Sequence, residues 1–276
     1  QRLTNVLLHR PGDELRASAN PDAVNMLEPL DLARAQAQHD GLADVYRAHG
    51  ITVTYADPAT QPTPNQMFMA DVFVMTPEGA IIARPASQVR AGEERVAARR
   101  LSDIGVPILR SINNRGTFEG ADLMWLDPQT AIVGRGLRTN DEGASQIEQL
   151  LTSMGIKMIK VDLPFGSMHL MGMLRIVDRN LAIAWPSRFV HRGVDALRER
   201  GYHVAMLPEN EEVRRGAAFN FVTIGPRTIV MAAGNPRTQT WFEQHGITCI
   251  TTPVDELAKA AGCLLYTSDA ADDTPC

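Results

Sequence analysis

The sequence predicts an α/β protein built as a ring of five ββαβ units, a five-fold pseudosymmetric α/β propeller. One pattern occurs five times: a helix-like stretch, a glycine, then a short β-branched run. In four of the five repeats, two apolar runs joined by a tight turn precede the helix. One such unit cannot bury its apolar face alone, whereas closing five into a ring buries all of them around one axis. The glycines recur every 45 to 55 residues, at Gly50, Gly105, Gly155, Gly201 and Gly246.

Each repeat contains local signals for its elements. A glycine at a helix end supplies the left-handed residue of a C-terminal cap, and the β-branched run after it indicates a strand. The turns between the two apolar runs read TPEG, DPQT, DRN and GPR in units two to five, and their residue types favour turn dihedrals. Unit one is less regular, with an apolar run LTNVLLHRP, a long linker, a helix over 32–49 and a strand.

The third helix has the clearest helical signals. Thr139 and Glu142 form a capping-box pattern, in which a hydroxyl and a carboxylate bind the first free backbone amides. Four apolar residues then follow at the spacing of one helix face, namely Ile147, Leu150, Leu151 and Met154. This face is expected to pack on the sheet of its unit.

Composition excludes several classes of protein. The 276 residues are 44% apolar, which is enough for a core, and the net charge is −5 without a long basic run. A protein that coats nucleic acid is therefore disfavoured. No apolar stretch is long enough to span a membrane, no signal peptide is visible, and three cysteines do not make a disulfide framework. We expect a cytoplasmic protein with one domain over 1–262.

Polar residues interrupt the first apolar run of four units. In a ring, equivalent positions face the same axis, so three of them should converge there: Asp71, Glu119 and His169. A buried acid is costly unless it is paired, and convergence around a cation would explain the set. The alternative is that each residue caps a turn, and this is our interpretation of Asp122 and Asn220.

Two arginines occupy matching places between a hairpin and its helix. Arg90 lies in SQVRAGEE, and Arg138 lies in GLRTNDEG one unit later. Loops at such junctions form the rims of sites, and the planar guanidinium can bind a carboxylate with two hydrogen bonds. The alternative is two solvated loop arginines.

The chain resembles the guanidine-modifying enzymes of the pentein superfamily, which include arginine deiminase, dimethylarginine dimethylaminohydrolase and the amidinotransferases. The resemblance runs from about Leu7 to Gly262 and implies a five-bladed α/β propeller with the site on its axis. It rests on an ordered set of motifs: VLLHRPGDEL near the start, PNQMFMAD at 64–71, ARPASQVRAGEE at 83–94, TFEGAD at 117–122, GLRTNDEGA at 136–144 and MHL at 168–170.

The resemblance also implies roles for individual residues. Asp71 would hold the substrate guanidinium with Phe68 packed beside it, and Glu119 would be the second guanidinium carboxylate. His169 would be the general acid and base. By the same resemblance, Arg90 and Arg138 would bind the α-carboxylate of an arginine-like substrate. The implied reaction hydrolyses the guanidinium of arginine or a methylated arginine through a covalent thiol intermediate, giving citrulline and ammonia or an amine.

The expected nucleophile is missing from its usual position. In the family, a segment like Gly-Gly-x-x-Cys-x-Thr follows the last helix, and its register places the cysteine near Tyr266 rather than at Cys263. The run LLYTSDAADD lacks strand character, so we expect 263–276 to be a non-native tail and the chain as printed to be inactive. Cys249 lies in the apolar run ITCITT and is expected to pack in the core.

Several alternatives remain open at this point. Met171 stands where deiminases have an acid, and this together with chain length favours the dimethylarginine branch, whereas HRPGDEL and Pro64–Asn65 favour the deiminase branch. An amidinotransferase would share every residue named above. A catalytically dead or non-enzymatic five-fold ring is a third reading. We expect no metal and no cofactor, a small guanidino substrate as partner, and leave a homodimer open.

Overall fold

The computed structural model describes residues 2–18 and 20–260, which form five consecutive units. Each of units two to five contains one three-stranded sheet in which the first pair of strands is antiparallel and the second pair is parallel. Unit one contains a parallel pair. The predicted order of hairpin, helix and strand is therefore present four times, and a shorter version is present once.

The bounds follow this order along the chain. Unit one has β1 (Asn5–Leu8), α1 (Leu32–Ala48) and β2 (Thr52–Tyr55). Unit two has β3 (Phe73–Thr76), β4 (Gly79–Ile82), α2 (Glu93–Asp103) and β5 (Ile108–Ser111). Unit three has β6 (Leu123–Asp127), β7 (Thr130–Arg135), α3 (Asp141–Ser153) and β8 (Lys157–Asp162). Unit four has β9 (Leu174–Asp178), β10 (Leu181–Ala184), α4 (His191–Arg198) and β11 (His203–Met206). After a short helix α5 (Glu211–Arg214), unit five has β12 (Phe221–Gly225), β13 (Thr228–Ala232), α6 (Pro236–Gln244) and β14 (Thr248–Thr252), followed by α7 (Asp255–Ala258).

All five repeat glycines end their helices in the same way. Each has a positive φ between 72° and 87°. In unit three, Gly155 donates to the carbonyl of Thr152, and Ile156 donates back to the carbonyl of Leu151. This pair of bonds is the Schellman motif, and it recurs at the other four glycines with a fully buried residue in the place of Leu151. The sequence prediction of five glycine caps is confirmed.

The helix face predicted for α3 is also confirmed, but its cap is not. Ile147 and Leu151 are fully buried in the cluster between α3 and its sheet. The residue that caps α3 is Asn140, whose side chain accepts from the amide of Gly143 at 2.8 Å. The predicted cap, Thr139, lies one residue too early and points into the interior instead. Two neighbouring residues with capping side chains cannot be ranked from sequence alone.

The polar residues expected within the first strands lie just before them. Short 3-10 turns over Met69–Asp71, Gly120–Asp122 and Leu170–Gly172 precede β3, β6 and β9. Gly120 explains the close packing of two of these turns, since a Cβ there would come within 2.3 Å of the carbonyl oxygens of Ala70 and Phe73. The predicted strands began too early in the sequence because the residues of these turns are as apolar as those of the strands.

Neighbouring units contact one another through hydrogen bonds. Arg84 and Phe118 form a bridge between units two and three, Leu170 donates to Asp122 across units three and four, and Thr223 donates to the carbonyl of Ile176 across units four and five. Units five and one meet where Leu3 donates to Ile224 and Asp31 donates to Glu256. No single sheet closes on itself in the described part of the chain, and no helix there is long and apolar enough to cross a membrane.

The glycine caps give a paired stability prediction. Gly155→Ala should lower the free energy of unfolding by about 1–2 kcal/mol, because a Cβ is disfavoured at this φ although the space around it is open. Gly41→Ala, inside α1 and also without close neighbours, should raise it by up to about 1 kcal/mol. Urea unfolding of both variants measures the difference, and equal effects would contradict the assignment of the cap.

Candidate active site

Three of the predicted residues come together at the turns between units. Asp71, Glu119 and His169 are almost completely buried, and one ligand atom from each lies within 4.8 Å of the others. The close approach follows from the packed turns described above, since Asp71 ends the first turn and Glu119 and His169 immediately precede the second and third. The expected convergence is therefore present in the structure.

Glu119 is the centre of this cluster. Its Oε2 lies 2.6 Å from Nε2 of His169 and 3.5 Å from Nη1 of Arg90. Its Oε1 accepts from Nη1 of Arg138 and from the amide of Ala86, both at 3.3 Å. Groups from units two, three and four therefore meet at this one carboxylate.

The electrostatics favour an ion pair between Glu119 and His169. Burial would raise the pKa of Glu119, but the hydrogen bond with His169 and the positive charges of His169, Arg90 and Arg138 outweigh it and lower that pKa to about 2. Burial would lower the pKa of His169, but the charge of Asp71 and the bond with Glu119 raise it to about 9. At neutral pH the imidazole is therefore protonated.

Arg90 lies inside the cluster rather than at its mouth. Its side chain is 5% exposed, and its Nη1 donates to Oδ2 of Asp71 at 2.7 Å. Its other edge contacts Oε2 of Glu93, at 2.9 Å from Nε and 2.8 Å from Nη2. Phe68 is buried beside it, with its ring centroid 5.9 Å from the guanidinium carbon. The sequence-based expectation of a rim position for Arg90 is wrong because these buried carboxylates draw the guanidinium inward.

Arg138 is closer to solvent. Its side chain is 12% exposed and contacts Glu119. The positive charge beside the three clustered residues comes from Arg90 and Arg138, so the convergence is explained without a metal ion. The set could supply three ligands to a divalent cation only if both guanidinium groups moved away.

Three buried polar atoms of the charged residues in the cluster have no hydrogen-bond partner within residues 2–18 and 20–260. They are Oδ1 of Asp71, Nε of Arg138 and Nη2 of Arg90, and the last lies 2.8 Å from Oε2 of Glu93 as an ion-pair contact. A buried carboxylate oxygen and a buried guanidinium nitrogen that lack partners are costly in a folded protein. The carboxylate oxygen is an acceptor and the two guanidinium nitrogens are donors, so the set is suited to a ligand that has both a cationic N–H group and an anionic group.

Sequence reasoning missed Glu93 and Thr63. Glu93 is fully buried in the first turn of α2, and burial raises its pKa above the usual value. Thr63 donates to its Oε1 at 2.6 Å. The detectable signal is the i, i+3 spacing from Arg90 to Glu93 at a helix start, which resembles an ordinary surface ion pair when only the sequence is read.

The other residues predicted from the sequence lie outside the cluster of Asp71, Glu119 and His169. Asn220 lines a cavity of about 330 Å³ that also contacts His169, Met168 and Arg175. Cys249 is in β14, the third strand of its sheet, where it packs against the core, and burial raises the pKa of its thiol to about 11. Cys263 lies outside the described residues. No cysteine is therefore among the described side chains that form the cluster.

A comparison with known protein families shows which family the chain belongs to. Residues 22–263 match the family described as N,N-dimethylarginine dimethylhydrolase, eukaryotic. The chain belongs to this family. It is thus related to hydrolases that act on the guanidino group of methylarginine, and the resemblance to guanidine-modifying penteins is confirmed.

Individual relatives are distant but cover most of the chain. The N(G),N(G)-dimethylarginine dimethylaminohydrolase of Streptomyces coelicolor is 25% identical over 237 residues, covering 86% of each protein. The uncharacterized protein YkgA of Bacillus subtilis is 26% identical, covering 84% of this chain and 78% of its own length.

Solved structures agree on the fold. A mutant DDAH from Pseudomonas aeruginosa in complex with citrulline matches with a TM-score of 0.78 at 24% identity, covering 95% of this chain and 96% of that one. The N-terminal domain of cyanobacterial ArgZ, bound covalently to a reaction intermediate, matches with a TM-score of 0.81 at 18% identity, covering 97% and 98%. The amidinotransferase SxtG from Microseira wollei matches at 0.76 and 13% identity, covering 99% and 95%.

The raised pKa of His169 predicts how stability depends on pH. Because the folded pKa of about 9 exceeds the unfolded value of 6.5, the contribution is fully present below pH 6.5 and is lost as pH rises through 9. The difference in unfolding free energy between wild type and His169→Gln should therefore shrink by on the order of 3 kcal/mol between pH 6 and pH 9.5. Urea unfolding across this range measures it. A constant difference would mean that the pKa of His169 is the same in the folded and unfolded states.

Proposed function

We propose that this site hydrolyses the guanidinium group of a methylated arginine or of arginine, giving citrulline and an amine or ammonia. The observation that carries the proposal is the unpartnered Oδ1 of Asp71 beside the Glu119–His169 pair. A substrate guanidinium has N–H donors in one plane, and two carboxylates can hold that plane in a fixed orientation. Membership in the dimethylarginine family supports the choice of substrate class.

Arg90 indicates where that guanidinium would bind. In the structure, its own guanidinium lies 2.7 Å from Asp71 and 3.5 Å from Glu119. The contact with Glu119 is the weaker one, whereas the contacts with Glu93 and Asp71 Oδ2 are short. We infer that a substrate takes the Glu119 contact and the free Asp71 Oδ1 while Arg90 stays on Glu93. Arg138, through its free Nε, would bind the α-carboxylate, and Arg90 is a second candidate for that role.

The chemistry then follows from the charge states. A thiolate attacks the guanidinium carbon, and His169, protonated at neutral pH, gives its proton to the departing amine. The imidazole is then neutral and accepts a proton from the water that attacks the amidino carbon. The carbon–sulfur bond breaks as the remaining hydroxyl proton passes to solvent, where it protonates the released amine; citrulline leaves, and the thiolate and imidazolium are restored. The ArgZ domain that is bound covalently to a reaction intermediate supports a covalent step.

An amidinotransferase is the second candidate. Its first half-reaction would use the same residues, and in its second half-reaction an amine would take the place of water as the nucleophile. SxtG supports this candidate because the amidinotransferase shares the fold. The family match favours hydrolysis.

The proposal also includes the architecture and the location of the protein. We propose that the five units form a five-fold propeller that closes through the contacts between units five and one. One domain over 1–262 and a cytoplasmic location are part of the same proposal.

Substitution of the two carboxylates should separate binding from turnover. Asp71→Asn should weaken binding of L-citrulline or Nω-methylarginine by about ten- to a hundredfold, since it removes a charged hydrogen-bond acceptor. In a chain that carries a Gly-Gly-x-x-Cys-x-Thr segment after Gly262, Glu119→Gln should lower turnover by about 10²- to 10⁴-fold, because the imidazolium loses its partner. Titration calorimetry and citrulline assays measure these effects.

Asp40→Asn is the matched control for both carboxylates. It neutralises the acid of an exposed ion pair with Arg10 and should change neither quantity. Loss of function in step with loss of thermal stability in all three variants would contradict the assigned roles.

The thiol is tested by changing the cysteines separately. We expect the chain as printed to bind an arginine-like ligand and to release almost no citrulline, because a nucleophile displaced from the reacting carbon costs about a hundredfold or more. A Gly-Gly-x-x-Cys-x-Thr segment placed after Gly262 should restore citrulline release, and Cys249→Ser in that protein should leave it unchanged. Turnover by the printed chain that Cys263→Ser abolishes would show that Cys263 is the nucleophile.

A further inference from the structure

Asp122 is a buried acid that the proposed reaction does not use. It is 0% exposed, and burial raises its pKa to about 6. Both of its oxygens are occupied: Oδ1 accepts from the amide of Leu170 at 2.9 Å, and Oδ2 accepts from the hydroxyl of Thr139 at 2.6 Å. It therefore faces protein groups and has no oxygen directed at a ligand. Retaining a fully buried carboxylate is costly, so these bonds need an explanation.

The partner, Thr139, is equally buried. Its hydroxyl donates to Asp122, and its oxygen accepts from the amide of Glu119 at 3.4 Å. The hydrogen bonds of Asp122 and Thr139 link three backbone positions: Glu119 itself, Thr139 next to Arg138, and Leu170 next to His169. The two side chains thus tie together the backbone at or beside three residues of the site, across the junction of units three and four.

We propose that Asp122 and Thr139 are positioning residues that fix the position of the His169 imidazole relative to Glu119. They thereby set the proton affinity of the imidazole and its orientation toward the substrate. The orientation toward a substrate rests on the proposed function. Rigid support of this kind is required because small displacements of reacting groups lower rates steeply. The bond from Leu170 holds the turn that begins at His169, so loosening it moves the imidazole relative to Glu119.

The charged surroundings of His169 decide what a variant should show. Burial lowers the pKa of His169, while nearby acids and the hydrogen bond to Glu119 raise it. The charged groups at the site are Asp71, Glu93, Glu119 and Asp122 on the acidic side and Arg90 and Arg138 on the basic side, and Arg175 and Arg188 line the cavity that His169 contacts. A change in the distance between the imidazole and Glu119 therefore appears directly in the titration of His169.

The test compares two buried threonines that make the same kinds of bond. Thr139→Val removes the hydroxyl of the proposed pair. Thr76→Val is its matched control, since the hydroxyl of Thr76 donates to the carbonyl of Gly79 at 2.8 Å and accepts from the amide of Glu78 at 3.3 Å, in the β3–β4 turn. Thr139→Ser retains the hydroxyl. Asp122→Asn retains an acceptor for Leu170 but cannot accept from Thr139 when its amide nitrogen takes the place of Oδ2.

Two measurements are made on each variant: the pKa of His169 by NMR of histidine-labelled protein, assigned with His169→Gln, and the affinity for L-citrulline by calorimetry. We expect Thr139→Val to lower the His169 pKa by about one unit and to weaken binding by about tenfold. We expect Thr139→Ser to keep both wild-type values, Asp122→Asn to lower the His169 pKa further because a charge is also lost, and Thr76→Val to change neither quantity.

The outcomes are decisive in either direction. If Thr139→Val and Thr76→Val lose similar stability while the His169 pKa and the affinity stay at wild-type values, the pair is only structural and the proposal is overturned. If Thr139→Val does not fold, an unchanged His169 pKa in Asp122→Asn overturns it equally. If wild type binds no guanidino compound or citrulline, the proposed function fails, yet the His169 titration still decides whether the pair positions the imidazole.

Discussion

The carboxylate of Glu119 is the interaction on which the rest of the site depends. It is fully buried and accepts from an arginine and a backbone amide of unit two, an arginine of its own unit and the imidazole of unit four. A charge in that position is tolerated because each group hydrogen-bonded to it supplies a donor, and three of these groups also supply a positive charge. The close packing at Gly120 brings the units near enough for this, and any side chain at that glycine would separate them.

Much of the architecture could be predicted from local sequence signals. The five glycines predict helix ends because a left-handed residue is a local requirement, and the structure contains the same cap at each of them. The convergence of Asp71, Glu119 and His169 could be predicted because repeats place equivalent positions together. The exact strand starts could not, since residues such as Met69 and Leu170 are apolar in turns as well as in strands.

The direction in which side chains point could not be predicted from the sequence. Thr139 and Asn140 are adjacent and both suit a cap, and only the tertiary structure turns Asn140 toward the helix and Thr139 toward Asp122. Arg90 was expected at the rim because loops between a hairpin and its helix form the rims of sites, but Glu93 and Asp71 provide buried partners that no spacing rule identifies. The errors therefore fall where long-range electrostatics, rather than local propensity, decides the outcome.

The junction between units five and one differs from the other four. Within residues 2–260 the chain crosses every other junction, whereas here the two sides are held by contacts alone. Glu256 donates its amide to Gln38, whose side-chain amide donates to Asp255, while Asp31 donates to the carboxylate of Glu256. Glu256 is nearly fully buried, so opening this junction would expose a charge that water hydrates well. In the proposed five-fold propeller, units five and one are thus held together by these polar contacts and not by the chain. For the proposed propeller this predicts a circular permutation, in which the chain is joined at this junction and cut at an exposed hairpin turn while the units keep their order in space.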